Sequence, residues 1–166
     1  MRFRDATTAD IPAIVELVNR AYRVEDAFID GDRTDAADVA GHLQRGSFVL
    51  AEDASRLAGA VFVDIRPPRG YFGMLAVHPD AQGNGLGAAL VREAESRALA
   101  AGCDHMELSV INLRLPLLGW YARLGYRVSG TAPFPIPGKL KQPLHFVLFT
   151  RPLATREPAA ICEEIR

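Results

Sequence analysis

The chain predicts an α/β fold built around one mixed sheet, and three observations carry that reading. First, β-rich runs and segments of helical periodicity alternate in the order β-α-α-β-β-β-α-β-α-β-β. Second, 49% of the 166 residues are hydrophobic and 23% are charged, a mixture that supports a buried core and excludes long disorder. Third, a strand runs through a glycine-rich turn into a long helix around residues 71–101.

Phe3, Arg4, Asp5 and Ala6 read as a short opening strand. Ile11, Ile14, Val15, Val18 and Tyr22 then recur near a period of 3.6, which marks one face of a helix capped by Thr8 or Asp10. A weaker helix is predicted over 35–44. Residues 47–51 and 57–65 form a predicted hairpin across the turn-like stretch 52–55. Pro67, Pro68, Arg69 and Gly70 break the chain before a strand over 71–77. Leu86, Leu90, Ala94 and Ala98 recur at spacing four and predict a helix over 86–101, stopped by Gly102. A strand over 104–110 follows. Pro116 opens a short helix carrying Tyr121 and ending at Gly125, before two last strands over 126–128 and 144–150. These elements read as one domain over 1–153 with a C-terminal tail over 154–166.

Nineteen basic residues against 20 acidic ones leave a net charge of −1, which argues against a nucleic-acid partner. No apolar run is long enough to span a bilayer, and no apolar stretch follows the basic N-terminus, so a cytoplasmic protein without a membrane partner is expected. Cys103 and Cys162 read as two reduced thiols. His42, His78, His105 and His145 lack ligand-like spacing, and no metal is expected.

The stretch from Leu75 to Ala88 carries the most chemistry. A strand (Leu75, Ala76, Val77) enters a turn containing Gly83, Gly85 and Gly87, and Leu86 and Ala88 open the helix. The first amides of a helix have no intrahelical partner and carry partial positive charge, and glycine lets a ligand approach them. A phosphate or pyrophosphate suits such a cradle, whereas tight helix packing alone is the bland alternative. A P-loop is excluded because Ala88, not Lys, follows Gly87. Gly83, Gly85 and Ala88 also satisfy a dinucleotide pattern, with Glu107 near its acidic position. Against that reading, His78 to Gln82 separate strand from glycines, Glu107 falls inside its strand, and too little chain follows.

Gln82-Gly83-Asn84-Gly85-Leu86-Gly87 resembles the Q/R-x-x-G-x-G/A signature of the GNAT superfamily of N-acetyltransferases. The preceding Leu-Ala-Val-His-Pro and the later segment from Gly119 to Tyr126 are similar to that family too, so the likeness covers 71–128 well. It implies a largely antiparallel sheet whose central strands splay to admit acetyl-CoA or another acyl-CoA. The coenzyme arm would lie along Leu75, Ala76 and Val77, and its pyrophosphate on Gln82, Gly83, Asn84, Gly85, Leu86, Gly87 and Ala88. The implied reaction moves an acetyl group directly to a primary amine of a small molecule or peptide. A non-catalytic acyl-CoA-binding or sensing domain is the alternative.

Tyr121 stands where the family keeps its general acid, able to protonate the departing thiolate. The family's two glutamate positions are occupied here by Tyr71-Phe72-Gly73 and Ser109, and its usual asparagine position by Arg114. No base follows from the likeness. Glu107 is the nearest carboxylate, and a merely solvated or paired glutamate reads equally well. Glu25, Asp26, Asp30, Asp32, Asp35 and Asp38 stand against Arg33 over 24–40, the expected wall of the acceptor site. That excess would attract a cationic amine, although a solvated loop explains it equally. The loop over 133–141 is the expected opposite wall, and a homodimer is among the expected assemblies.

Overall fold

The computed structural model describes residues 1–54 and 56–154. The expected tail therefore lies outside the described residues, apart from Ala154, and so does Cys162. The element order is β1 (Arg2–Asp5), α1 (Ile11–Ala21), α2 (Ala36–Arg45), β2 (Ser47–Glu52), β3 (Leu57–Arg66), β4 (Arg69–Val77), α3 (Leu86–Ala100), β5 (His105–Ile111), α4 (Leu115–Arg123), β6 (Arg127–Pro133) and β7 (His145–Pro152). This is the predicted order. Most boundaries shift by one or two residues, and two of the shifts have a clear physical reason. Arg69 already pairs with Arg66, so the Pro67–Pro68 break is a tight hairpin turn within the sheet rather than a gap before it. β6 runs on through Pro133, because pairing with β7 overrides the weak strand propensity of Ser129, Gly130 and Pro133.

The seven strands lie in the order β1-β2-β3-β4-β5-β7-β6, and every neighbouring pair is antiparallel except β4–β5. Successive side chains of a strand point to opposite faces. On β2 and β3 both faces are apolar, so these strands are buried on both sides. Phe48, Leu50, Ala60 and Phe62 meet Ile14, Leu17 and Val18 of α1 and Val39 of α2. Val49, Ala51, Val61 and Val63 face Leu86, Leu90, Val91, Ala94 and Ala98 of α3, with Tyr121 of α4 in the same cluster.

The feature that positions the site is at the middle of the sheet. β4 pairs with β5 only through Arg69–His105, Gly70–Met106 and Tyr71–Glu107, although β4 continues to Val77 and β5 to Ile111. β5 instead stays with β7 along its whole length. β4 stays with β3, but the register shifts between Ala60 and Phe62, and opposite that shift Met74 takes a φ of 49°. A bulge of this kind bends its strand and increases its twist. The two central strands therefore splay.

At the sheet's edge Arg4 of β1 binds both Asp10 and Glu52, and Asp10 also accepts from the Thr7 backbone N–H at 2.7 Å. Hydrogen bonding to Arg4 holds the Asp10 carboxyl down at about 2, below its ordinary 3.8. A carboxyl lowered on folding stabilises above its unfolded pKa, so this contribution is lost as pH falls toward about 2. Asp10→Asn keeps an acceptor for the Thr7 N–H but loses the charge that Arg4 binds, and is expected to cost about 1 kcal/mol at neutral pH. It should also flatten the acid limb of a melting-temperature profile against pH.

Candidate functional site

After Val77 the chain turns through Pro79–Ala81 and reaches Gly83 and Gly85, both with left-handed φ (85° and 78°). Space is open around both, so it is the backbone conformation that asks for glycine there. Gly85 caps α3, and its carbonyl accepts the first helical bond, from Ala89. The amides of Leu86, Gly87 and Ala88 are thus left without a helical acceptor. Gly87 sits close for another reason: a Cβ there would meet the Trp120 ring at 3.5 Å.

These residues floor a cavity of about 490 Å³. Leu75, Val77, Gln82, Gly83, Gly85, Leu86, Gly87 and Ala88 line one side, and Arg114, Leu117, Trp120 and Tyr121 the other. Ala76 and Asn84 are not among its lining residues. Ala76 is buried against the α1 face of the sheet, and Asn84 is exposed at the turn. The alternation that removes the Ala76 side chain also aims backbone groups. The His78 N–H donates to the Ala58 carbonyl, so by the period of two Ala76 faces β3, while the amide groups of Leu75 and Val77 face the edge that β5 has left. The Gln82 side chain donates to the Val77 carbonyl at 3.1 Å, tying strand to turn.

A second cavity of about 330 Å³ lies on the far side of the splay. Its walls are largely apolar and include Val18, Ile29, Phe72, Val110, Phe134, Ile136 and Phe146, so the loop expected as a wall does line it. Tyr22, Leu75, Leu117 and Tyr121 line both cavities. Tyr121 is 4% exposed, and its ring is held among Phe72, Trp120, Tyr126 and Phe149. Its hydroxyl has no hydrogen-bond partner among the described residues. Burial pushes that phenol up, with Tyr71 adding to the effect and the Arg114 charge opposing it.

Several residues of this site are named by the sequence reading without the place the structure gives them. Tyr22, assigned there only to a helix face, reaches the junction of the cavities, and burial pushes its phenol up as well. Arg114 reaches across to Glu25 at 2.8 Å, tying the start of α4 to the segment after α1. Burial raises the Glu25 carboxyl, and Arg114 chiefly, with Arg33 at longer range, pulls it back. Tyr71 and Ser109, at the positions where glutamates were sought, bring their hydroxyls to 3.5 Å inside the second cavity. Within that set only Arg114 stands out in the sequence by itself, as a lone charge among Ile111, Leu113, Leu115 and Leu117.

Other candidates sit elsewhere. Glu107 belongs to the paired end of β4 and β5, bound by Arg69 and by His105 at 3.2 Å, and it lines neither cavity. The acidic run is divided among tasks. Asp35 caps α2, Asp38 accepts from Thr34 and flanks His42, and Glu25 holds Arg114. Asp26 and Asp32 share a cleft with Arg23, Arg33 and Lys141, a mixed rather than an acidic surface. Among the described residues no group of His, Cys, Asp and Glu could hold a metal ion, and no helix is long and apolar enough to cross a membrane.

Known proteins share this fold. The ribosomal-protein-S18-alanine N-acetyltransferase of Escherichia coli superposes with a TM-score of 0.77 at 17% identity, covering 95% of this chain and 97% of that one. The structure of yncA from Salmonella typhimurium with its cofactor acetyl-CoA superposes at 0.69 and 22% identity, covering 98% and 99%. Identities this low speak for the fold. The acetyltransferase YE1169 of Yersinia enterocolitica is 31% identical over 84 residues, which is 51% of this chain and 60% of that relative's length. Residues 11–126 match the Acetyltransferase (GNAT) family, and with that span covering most of the splayed sheet and the glycine turn, this chain belongs to the GNAT family of acetyltransferases.

Proposed function

We propose that this protein transfers an acetyl group from acetyl-CoA to a primary amine by direct attack on the thioester. The observation that carries this reading is the meeting of two cavities at Tyr121, through the opening between β4 and β5. A domain that only bound acyl-CoA needs the glycine-floored cavity but not the second one. In this reading the coenzyme's pyrophosphate sits on the amides from Gln82 to Ala88, where backbone donors and the helix dipole favour anions. Its arm follows the free edge of β4, with the Leu75 and Val77 amide groups as partners.

The amine enters from the second cavity and forms a C–N bond as the C–S bond breaks. Holding both reactants across a single opening supplies orientation. An amide donor of β4 stabilises the oxyanion. Tyr121 keeps its proton through the neutral range and gives it to sulfur, with the Arg114 charge easing the transient phenolate. The amine releases one proton, so the phenol is restored and the products are an amide and a thiol. Tyr71 and Ser109 hydroxyls line the path by which water can carry that proton.

Acetyl-CoA and free CoA should raise the melting temperature while NAD does not, and thiol release across an amine panel should then report turnover. Tyr121→Phe should lower turnover by ~10²–10⁴-fold with acetyl-CoA affinity nearly unchanged. Lost stability with full turnover would make Tyr121 a core aromatic only. Gly87→Val should weaken CoA binding by about tenfold or more while unfolding shifts little, since valine suits a helix better than glycine. Unchanged CoA affinity in that variant would remove the cradle.

A further inference from the structure

Resting on the acetyl-transfer reading, we infer that the acceptor is a small amino acid with a free carboxylate and an apolar side group, and that Arg33 is the receptor for that carboxylate. Each other charge lining the second cavity already has a partner. Glu25 is held by Arg114, and Asp38 by Thr34 and His42. Arg33 has no carboxylate within ion-pair distance among the described residues. Its Nη2 donates to the carbonyls of Gly31 at 2.6 Å and Asp30 at 3.2 Å, and its Nε is enclosed without any partner.

The enclosed Nε adds to the cost of holding this side chain in place, and what the cavity meets is an arginine with a full charge and no carboxylate partner, which an anion would match. The neighbouring charges agree, because two arginines, Arg33 and Arg114, act on the single carboxylate of Glu25. Arg33 is also placed rather than loosely exposed. Asn19 of α1 accepts from the backbone N–H of Arg33 at 2.9 Å and of Thr34 at 3.0 Å, and donates to the Thr34 carbonyl. The rest of the cavity supplies apolar walls, Ile29, Phe134 and Ile136 among them. A planar guanidinium in such surroundings selects a carboxylate by charge-assisted hydrogen bonds and rejects the neutral amide, which leaves it unpaired.

The test has a binding arm and a kinetic arm. Calorimetric titration of N-acetyl-L-phenylalanine against N-acetyl-L-phenylalaninamide, with CoA present, should show the acid binding at least about tenfold more tightly. Arg33→Met should abolish that difference while leaving the acetyl-CoA melting shift intact. In turnover, L-phenylalanine, L-leucine and L-methionine should exceed their amides and phenethylamine by a similar factor in kcat/KM. Equal affinity of acid and amide for the wild-type protein, which needs no variant to fold, overturns the inference, as does equal turnover. If acid and amide differ as expected but no amine releases thiol, the carboxylate site stands and the acetyl-transfer reading fails instead.

Discussion

The parting of β4 from β5 after Tyr71 and Glu107 is the constraint on which the rest of the site depends. Opening a sheet at its centre strands backbone donors and acceptors that would otherwise pair. The fold confines that cost to one short stretch. β4 keeps β3 on its other edge and β5 keeps β7, so each strand remains anchored while the gap opens. The register shift at Ala60 and Phe62, with Met74 in a left-handed conformation, supplies the bend. A residue other than glycine rarely accepts that conformation, and the strain falls where an extended ligand can satisfy the freed groups.

Around the gap, rigidity comes from two unlike sources. Aromatic packing fixes the Tyr121 ring from several sides, while its hydroxyl is left without a protein partner at the junction of the cavities. The Glu25–Arg114 pair then joins the segment following α1 to the start of α4 across the opening. Breaking such a buried pair leaves one charge uncompensated, so the two walls are coupled in position. Apolar surroundings make each remaining charge specific, since a cation lining such a cavity without a carboxylate partner favours an anion.

The distribution of the acidic residues shows how charge counting over a loop differs from charge in space. Of the six carboxylates from Glu25 to Asp38, four are bound within the protein: Asp35 by capping α2, Asp38 by Thr34 and His42, Glu25 by Arg114 and Asp30 by Lys141. The single arginine in the run faces the second cavity without an ion pair. A linear count registers net negative charge; the cavity registers which charges are left over.

Element order, helix faces and the glycine turn are legible in the amino-acid sequence because they follow from local rules. Periodicity marks a face within one helix, and glycine answers a left-handed φ at its own position, as at Gly83 and Gly85. The family resemblance likewise rested on one contiguous stretch and a tyrosine a fixed distance downstream. Long-range packing is what turns the Ala76 side chain away while Leu75 and Val77 face the gap, places Glu107 at the closed end of the sheet, and brings Tyr22, Glu25 and Arg33 to the second cavity, with Arg114 reaching Glu25 from the first. Strand register, a bulge and partners 89 residues apart are set by long-range packing, and no window of neighbouring residues carries that information.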